Sequence, residues 1–128
     1  MIPQAGACAC SCSTSKGPRL IFSCSGAADV GELADRAGRA LNRRGLGKMF
    51  CLAGIGGRVP SILKTTESAL SVLAIDGCPL DCAKKSLEEA GFKKVHHLRL
   101  SDIGFEKGKT VVDEEAVATV AKKAERYL

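Results

Sequence analysis

The chain contains four short apolar runs, which predict four β-strands at residues 19–23, 49–53, 70–76 and 95–100. Between and after them, apolar residues recur at helical spacing from about residue 29 to a stop at Gly45, from 79 to 90, and from 113 to the end. A further short helix is predicted from Pro60, because proline is tolerated at a first helical position. Strands that alternate with helices predict an α/β fold.

The alternation predicts a small three-layer α/β sandwich with a mainly parallel sheet of about four strands, Rossmann- or flavodoxin-like. In the flavodoxin-like strand order 2-1-3-4, the first and third strands are neighbours and the ligand crevice opens between their ends. Residues 70–76 form the most apolar segment, which is typical of a central strand buried on both faces. We predict a flexible Cys-rich tail over residues 1–17 and a single domain over residues 18–128.

Composition and charge narrow the classes of protein and partner. The chain has 128 residues, 45% apolar and 26% charged, which suits one soluble domain. The net charge of +5 is spread along the chain, without the basic and aromatic clustering of a nucleic-acid platform. No secretory signal and no membrane-spanning apolar run are seen. We therefore predict a cytoplasmic protein with neither nucleic acid nor membrane as a partner.

Cysteines follow the predicted strands and carry the candidate chemistry. Cys24 closes the first strand, Cys78 follows the third, and Cys82 comes one helical turn later. Cys51 lies in the predicted second strand, about two residues before its end, where core packing is the alternative to ligation. Strand ends of a parallel sheet converge on one crevice, so these thiols are expected to meet. Seven cysteines in a chain with its own apolar core indicate metal or thiol chemistry rather than a disulfide scaffold.

Four thiolates suit zinc, which accepts an all-sulfur tetrahedral shell. The spacing of Cys78 and Cys82 puts both sulfurs on one side of a helix's first turn, where unpaired N–H groups favour the thiolate form. The predicted metal ligands are therefore Cys24, Cys51, Cys78 and Cys82. Iron, or an iron–sulfur cluster, is the alternative occupant of such a site.

The motif Asp76-Gly77-Cys78-Pro-Leu-Asp-Cys82-Ala, with Cys24-Ser-Gly26 before it and Cys51-Leu-Ala-Gly-Ile-Gly between them, resembles the DGC-domain family. The resemblance covers roughly residues 19 to 105. It implies a zinc site at the same four cysteines, but no established biochemical activity.

Other chemistries for these residues stay open. A thiol redox enzyme would use Cys24 as nucleophile with Cys78 or Cys82 as the resolving thiol. A phosphocysteine carrier would use Cys24 alone, although Val30 stands where related phosphatases need arginine. The predicted tail contains Cys8, Cys10 and Cys12. These cysteines either bind a soft metal or have no role. Asp76 is interpreted as a turn cap or as a support for the ligands. The adjacent His96 and His97 point to opposite faces of a strand, so neither is predicted to be a ligand.

Overall fold

The computed structural model describes residues 17–128 as a four-stranded parallel sheet with five α-helices. The strands are β1 (Arg19–Ser23), β2 (Lys48–Met49), β3 (Ser71–Asp76) and β4 (His96–Arg99). The helices are α1 (Asp29–Arg43), α2 (Leu52–Gly56), α3 (Pro60–Glu67), α4 (Cys82–Glu89) and α5 (Glu114–Glu125). A 3-10 helix, Leu100–Ile103, follows β4. The α/β class is confirmed.

The strand order is β2-β1-β3-β4, with every neighbouring pair parallel. This confirms the predicted 2-1-3-4 order and puts the carboxyl ends of all four strands at one edge. The longest pairing joins β1 and β3, from Arg19 opposite Ser71 to Ser23 opposite Ile75. On the other side of β3, Asp76 lies opposite Arg99.

Two apolar layers enclose the sheet and confirm the three-layer sandwich. Helices α1 and α5 cover one face, where Leu33 and Val120 are buried with Ile21 of β1. Helices α2 and α4 cover the other face, where Ile55 and Leu87 are buried with neighbouring strand side chains. Asp113 begins α5 as predicted, because its carboxylate accepts a hydrogen bond from the Ala116 amide at 2.8 Å. Helices cover both faces of the sheet, and the last residues of β1 and β3, Ser23 and Asp76, are buried.

Two predicted boundaries beside the cysteines are wrong. Strand β2 ends at Met49 rather than residue 53, and Cys51 caps α2 instead of lying in mid-strand. The fourth helix begins at Cys82 rather than at Pro79, so Leu80 is 59% exposed and does not belong to an inner helical face. The first difference takes Cys51 out of the strand, and the second leaves Cys78 outside the helix, so Cys78 and Cys82 do not share its first turn as the spacing predicts.

Within residues 17–128, no helix has the length and apolar character needed to cross a membrane. Except for Gly17, the predicted tail lies outside the described residues, and so do its three cysteines.

Candidate functional site

The thiols of the described residues all lie where strands end and helices begin. Cys24 directly follows β1, Cys51 stands between β2 and α2, Cys78 follows β3, and Cys82 is the first residue of α4. All four are free thiols: Cys24 and Cys78 are partly buried, while Cys51 and Cys82 are exposed. Core packing therefore does not account for Cys51. The edge predicted from the strand order carries every cysteine of residues 17–128.

Asp76 ties the end of β3 to the beginning of α4. Its side chain is 1% exposed. One carboxylate oxygen accepts the Ala83 amide at 2.7 Å, and the other accepts the Lys84 amide at 3.0 Å. These amides belong to the first turn of α4, whose N–H groups lack partners within the helix. A carboxylate six residues upstream of the helix thus acts as its cap, which explains why α4 begins at Cys82.

Gly77 allows the turn to lie directly on α1. A Cβ atom at this position would stand 2.7 Å from Cγ2 of Val30 and 2.8 Å from its backbone carbonyl atoms. Real Cβ atoms do not approach a backbone so closely, so a side chain here would push the turn away from α1. The glycine therefore contributes close packing immediately before Cys78, which is partly buried.

An ion pair holds the other end of the same turn. Asp81 adopts a left-handed conformation, with φ of 55°. Its carboxylate accepts two hydrogen bonds from Arg99, at 2.8 Å from Nε and 2.6 Å from Nη2. The hydrogen bonds from Arg99 lower the pKa of Asp81, and their reciprocal effect raises the pKa of the guanidinium. Cys82 follows directly, so the ion pair also positions the first residue of α4.

His97 joins the two carboxylates of this turn. Its Nε2 lies 2.9 Å from Asp76 and 3.6 Å from Asp81. In the described residues, these three side chains are the group whose candidate ligand atoms lie within 4.8 Å of one another. The carboxylates already accept backbone amides and Arg99, so we interpret the cluster as a hydrogen-bonded support for the turn.

Sequence reasoning missed His97 and Arg99 as parts of this support. The signal was present in the strand register, because Asp76 lies opposite Arg99 at the end of the parallel pair β3–β4. This register brings both residues of β4 to the turn, where His97 contacts Asp76 and Arg99 contacts Asp81. Without the register, the two residues read only as ordinary charges on a short strand.

Cys24 and Cys51 line one cavity of about 540 Å³. Burial raises the pKa of Cys24, while the backbone amides of Gly26 and Gly77 partly offset this effect. Nearby Asp76 and Cys82 act with burial to raise the pKa of Cys24 further. The thiol of β1 is therefore close to groups of the turn that follows β3 and to the thiol beside β2.

Cys51 and Cys78 each have a polar partner of their own. Cys51 Sγ accepts the Gly54 amide at 3.4 Å, which caps α2. Cys78 Sγ lies 3.9 Å from the ammonium of Lys107. The segment that carries this lysine is held by the Asp29 carboxylate, which accepts the Gly108 and Thr110 amides at 3.0 Å.

The sulfurs do not form a compact ligand shell in this conformation. Among residues 17–128, no three thiols have sulfur atoms that all lie within 4.8 Å of one another. A tetrahedral zinc site with bonds of about 2.3 Å would require the sulfurs to leave their present partners and turn toward one point. The four-cysteine ligand set therefore stays a prediction, supported by position at one edge.

Fold and site together define a small parallel α/β domain whose thiols collect at the carboxyl ends of its strands. The family model described as DGC domain matches residues 20–124. The chain is also 40% identical over 88 residues to the Anaerobic and virulence modulator AnvM of Pseudomonas aeruginosa, a match that covers 69% of this chain and 67% of that protein. No solved structure matches the chain. The chain belongs to the DGC-domain family.

Proposed function

We propose that this domain is a metal-binding module that holds one zinc ion through thiolates at the carboxyl edge of its sheet. The observation that carries the proposal is the position of the cysteines: every thiol of residues 17–128 is at this edge, free and at least partly accessible. Membership of the DGC-domain family supports the same interpretation. The name of the similar Pseudomonas protein describes a modulator, which also suits a binding module.

The donor set fits a soft or borderline metal. Thiolates favour zinc and iron over hard cations such as magnesium or calcium. The proposed ligands are Cys24, Cys51, Cys78 and Cys82. Bound zinc would supply a tetrahedral cross-link between three segments, and it would act as a Lewis acid only if one position stayed open. The buried Asp76 would hold the turn that carries two of the ligands.

The alternative of a thiol redox enzyme has weaker support. A nucleophilic cysteine needs a thiolate at neutral pH in the free protein, whereas burial raises the pKa of Cys24; a metal ion would itself favour the thiolate form of its ligands. Val30, which is 1% exposed in the core, offers no cation for the related phosphatase chemistry, and a phosphocysteine carrier would use Cys24 alone. Both alternatives also leave the other edge thiols without a role.

Elemental analysis of protein purified without chelator tests the metal. We expect about one zinc per chain, because four thiolates match its preferred shell. Less than about a tenth of an equivalent of zinc would contradict the proposal, since a thiolate site should retain its ion during purification. Substantial iron, together with inorganic sulfide and visible absorbance, would indicate an iron–sulfur cluster at the site instead of zinc.

Serine variants test the ligands. Cys78→Ser and Cys82→Ser are expected to lose metal more completely than Cys51→Ser, because the two residues on the supported turn form the local chelate. The control is a variant in which all three tail cysteines are serine, which should retain its zinc. Loss of zinc in the tail variant, with full retention in Cys78→Ser, would assign the metal to residues 8–12.

Alkylation separates a metal module from a thiol enzyme. Zinc-bound thiolates should react slowly until a chelator removes the ion. Rapid labelling of Cys24 in the zinc-loaded protein, followed by a disulfide to Cys78 or Cys82 under mild oxidation, would favour the enzyme.

A further inference from the structure

A second cavity adjoins the one that contains Cys24. It has a volume of about 570 Å³ and lies between the end of α1 and the segment after β2. The two cavities share four lining residues, which are Arg39, Met49, Phe50 and Cys51. A molecule bound in the second cavity would therefore lie beside the carboxyl edge of the sheet, where the cysteines of the described residues lie; we call this the thiol edge.

The lining of this second cavity is cationic. Its residues include Arg39 and Arg43, and none of them is acidic. Arg39 uses Nε to hold Asp35 at 2.7 Å, which leaves its two terminal nitrogens for another acceptor. Within the described part of the chain, Arg43 has no carboxylate at ion-pair distance. The cavity therefore offers the guanidinium of Arg43, which has no carboxylate partner among the described residues, together with the two terminal nitrogens of Arg39.

Other lining residues give the cavity a defined donor and apolar walls. Asn42 accepts the Met49 amide through Oδ1 at 2.6 Å, which directs its NH₂ group elsewhere as a donor. The Phe50 ring packs edge-on against Phe22 with centroids 6.0 Å apart. Met49 and Phe50 thus form an apolar wall next to the two arginines.

We propose that this cavity binds a small organic anion through a carboxylate or phosphate group. Arginine forks match the geometry of both groups, and the apolar wall would contact the carbon part of the molecule. The shared Cys51 would bring the bound anion next to the thiols. The inference does not depend on zinc, because none of the charged groups that carry it is a proposed metal ligand.

Titrations of the full chain by amide NMR test this site with two probes, inorganic phosphate and succinate. Zinc-free and zinc-loaded protein are titrated separately. We expect saturable shifts of the amides of Asn42, Met49 and Phe50 with at least one probe. Arg43→Ala should weaken binding about tenfold, as loss of a charge-assisted hydrogen bond predicts.

The chain offers a matched control in the next arginine. Arg44 pairs with Glu125 at 2.8 Å and does not line the cavity, so Arg44→Ala should bind the probes as the original chain does. Arg43→Lys keeps the charge and should retain part of the affinity. Comparison with Arg44→Ala also controls for loss of a cation near the end of α1, where the helix dipole favours positive charge.

The titrations have outcomes that support the anion site and outcomes that overturn it. Binding of phosphate alone, succinate alone or both assigns the group that the cavity accepts. Absence of saturable shifts with both probes would overturn the proposal, and so would equal weakening by Arg43→Ala and Arg44→Ala. Because the zinc-free protein is titrated as well, a failed metal proposal would leave this result interpretable.

Discussion

The two halves of the thiol edge are built differently. On the half formed by β3 and α4, a buried carboxylate, a histidine and an arginine ion pair hold the turn that carries Cys78 and Cys82. On the half formed by β1 and β2, Cys24 and Cys51 line an open cavity beside a two-residue strand and a five-residue helix. The β3–α4 half, which we call the supported half, is held by these polar contacts. The β1–β2 half, which we call the open half, borders a cavity into which its side chains could move.

This difference assigns distinct tasks to the two halves. A metal site needs some ligands whose positions are established before the ion arrives, because ordering them during binding costs free energy. The supported turn supplies such a pair, with Cys78 near its start and Cys82 as the first residue of α4. The open half can then contribute its thiols by small movements, and its cavity leaves access for small molecules.

The largest expected effect follows from removal of the buried carboxylate. Asp76→Ala should lower the free energy of unfolding by about 3 to 5 kcal/mol, because buried partners lose their acceptor. On the open half, Asn42 also accepts a backbone amide, but it is exposed, and Asn42→Ala should cost only about 1 kcal/mol. Urea denaturation of both variants in chelator measures the difference. Equal costs would show that the two halves are held alike.

Two separate glycine-to-alanine substitutions, one in each half, test the close packing of the supported half. Gly77→Ala should destabilise the domain by about 1 to 3 kcal/mol, because the new Cβ would collide with the backbone of Val30. Gly26→Ala is the matched control on the open half, where no atom lies within 4 Å of the added Cβ, and should change stability by less than about 0.5 kcal/mol. Denaturation midpoints compare them directly. If Gly26→Ala were less stable than Gly77→Ala, the turn at Gly77 would not be the more tightly packed of the two sites.

The smallest expected effect is a difference in acid stability. The pKa of Asp81 is lowered by Arg99, so its contribution is present above the ordinary aspartate pKa and is lost as pH falls through the lowered value. Burial tends to raise the pKa of Asp35, but hydrogen bonds from Arg39 and Ser25 lower it overall, so the open half has the same sign of pH dependence.

Arginine variants separate these two contributions. Arg99→Gln should flatten the loss of stability below about pH 4 more than Arg39→Gln, because the Arg99 side chain is 29% exposed and that of Arg39 is 61% exposed. Unfolding measured from neutral to acidic pH gives both slopes. A steeper acid limb in Arg99→Gln than in the original chain would mean that the sign of the Asp81 contribution is wrong.

The sequence predicted the sheet order because strands alternated with helices and parallel crossovers have few allowed arrangements. It also located the edge at which the cysteines lie, since Cys24 and Cys78 each followed an apolar run and the carboxyl ends of parallel strands meet at one edge. These features depend on local pattern and on general rules of chain topology. They required no knowledge of which side chains touch.

The details of the site depended on contacts between distant residues. The beginning of α4 could not be read from its own sequence, because the cap is Asp76 on the preceding strand. The second strand was drawn too long because the apolar residues at 49–53 fit a strand as well as a helix start. The support from His97 became visible only through the pairing of β3 with β4.

The capping role of Asp76 has a consequence for measurement. The amides of Ala83 and Lys84 donate to a buried carboxylate instead of water, so their protons should exchange with solvent only when the turn opens. Their exchange rates would therefore report, residue by residue, how often the strand and helix separate. An ion held by Cys78 and Cys82 would make that separation rarer, and these two amides would register its arrival without any label on the sulfurs.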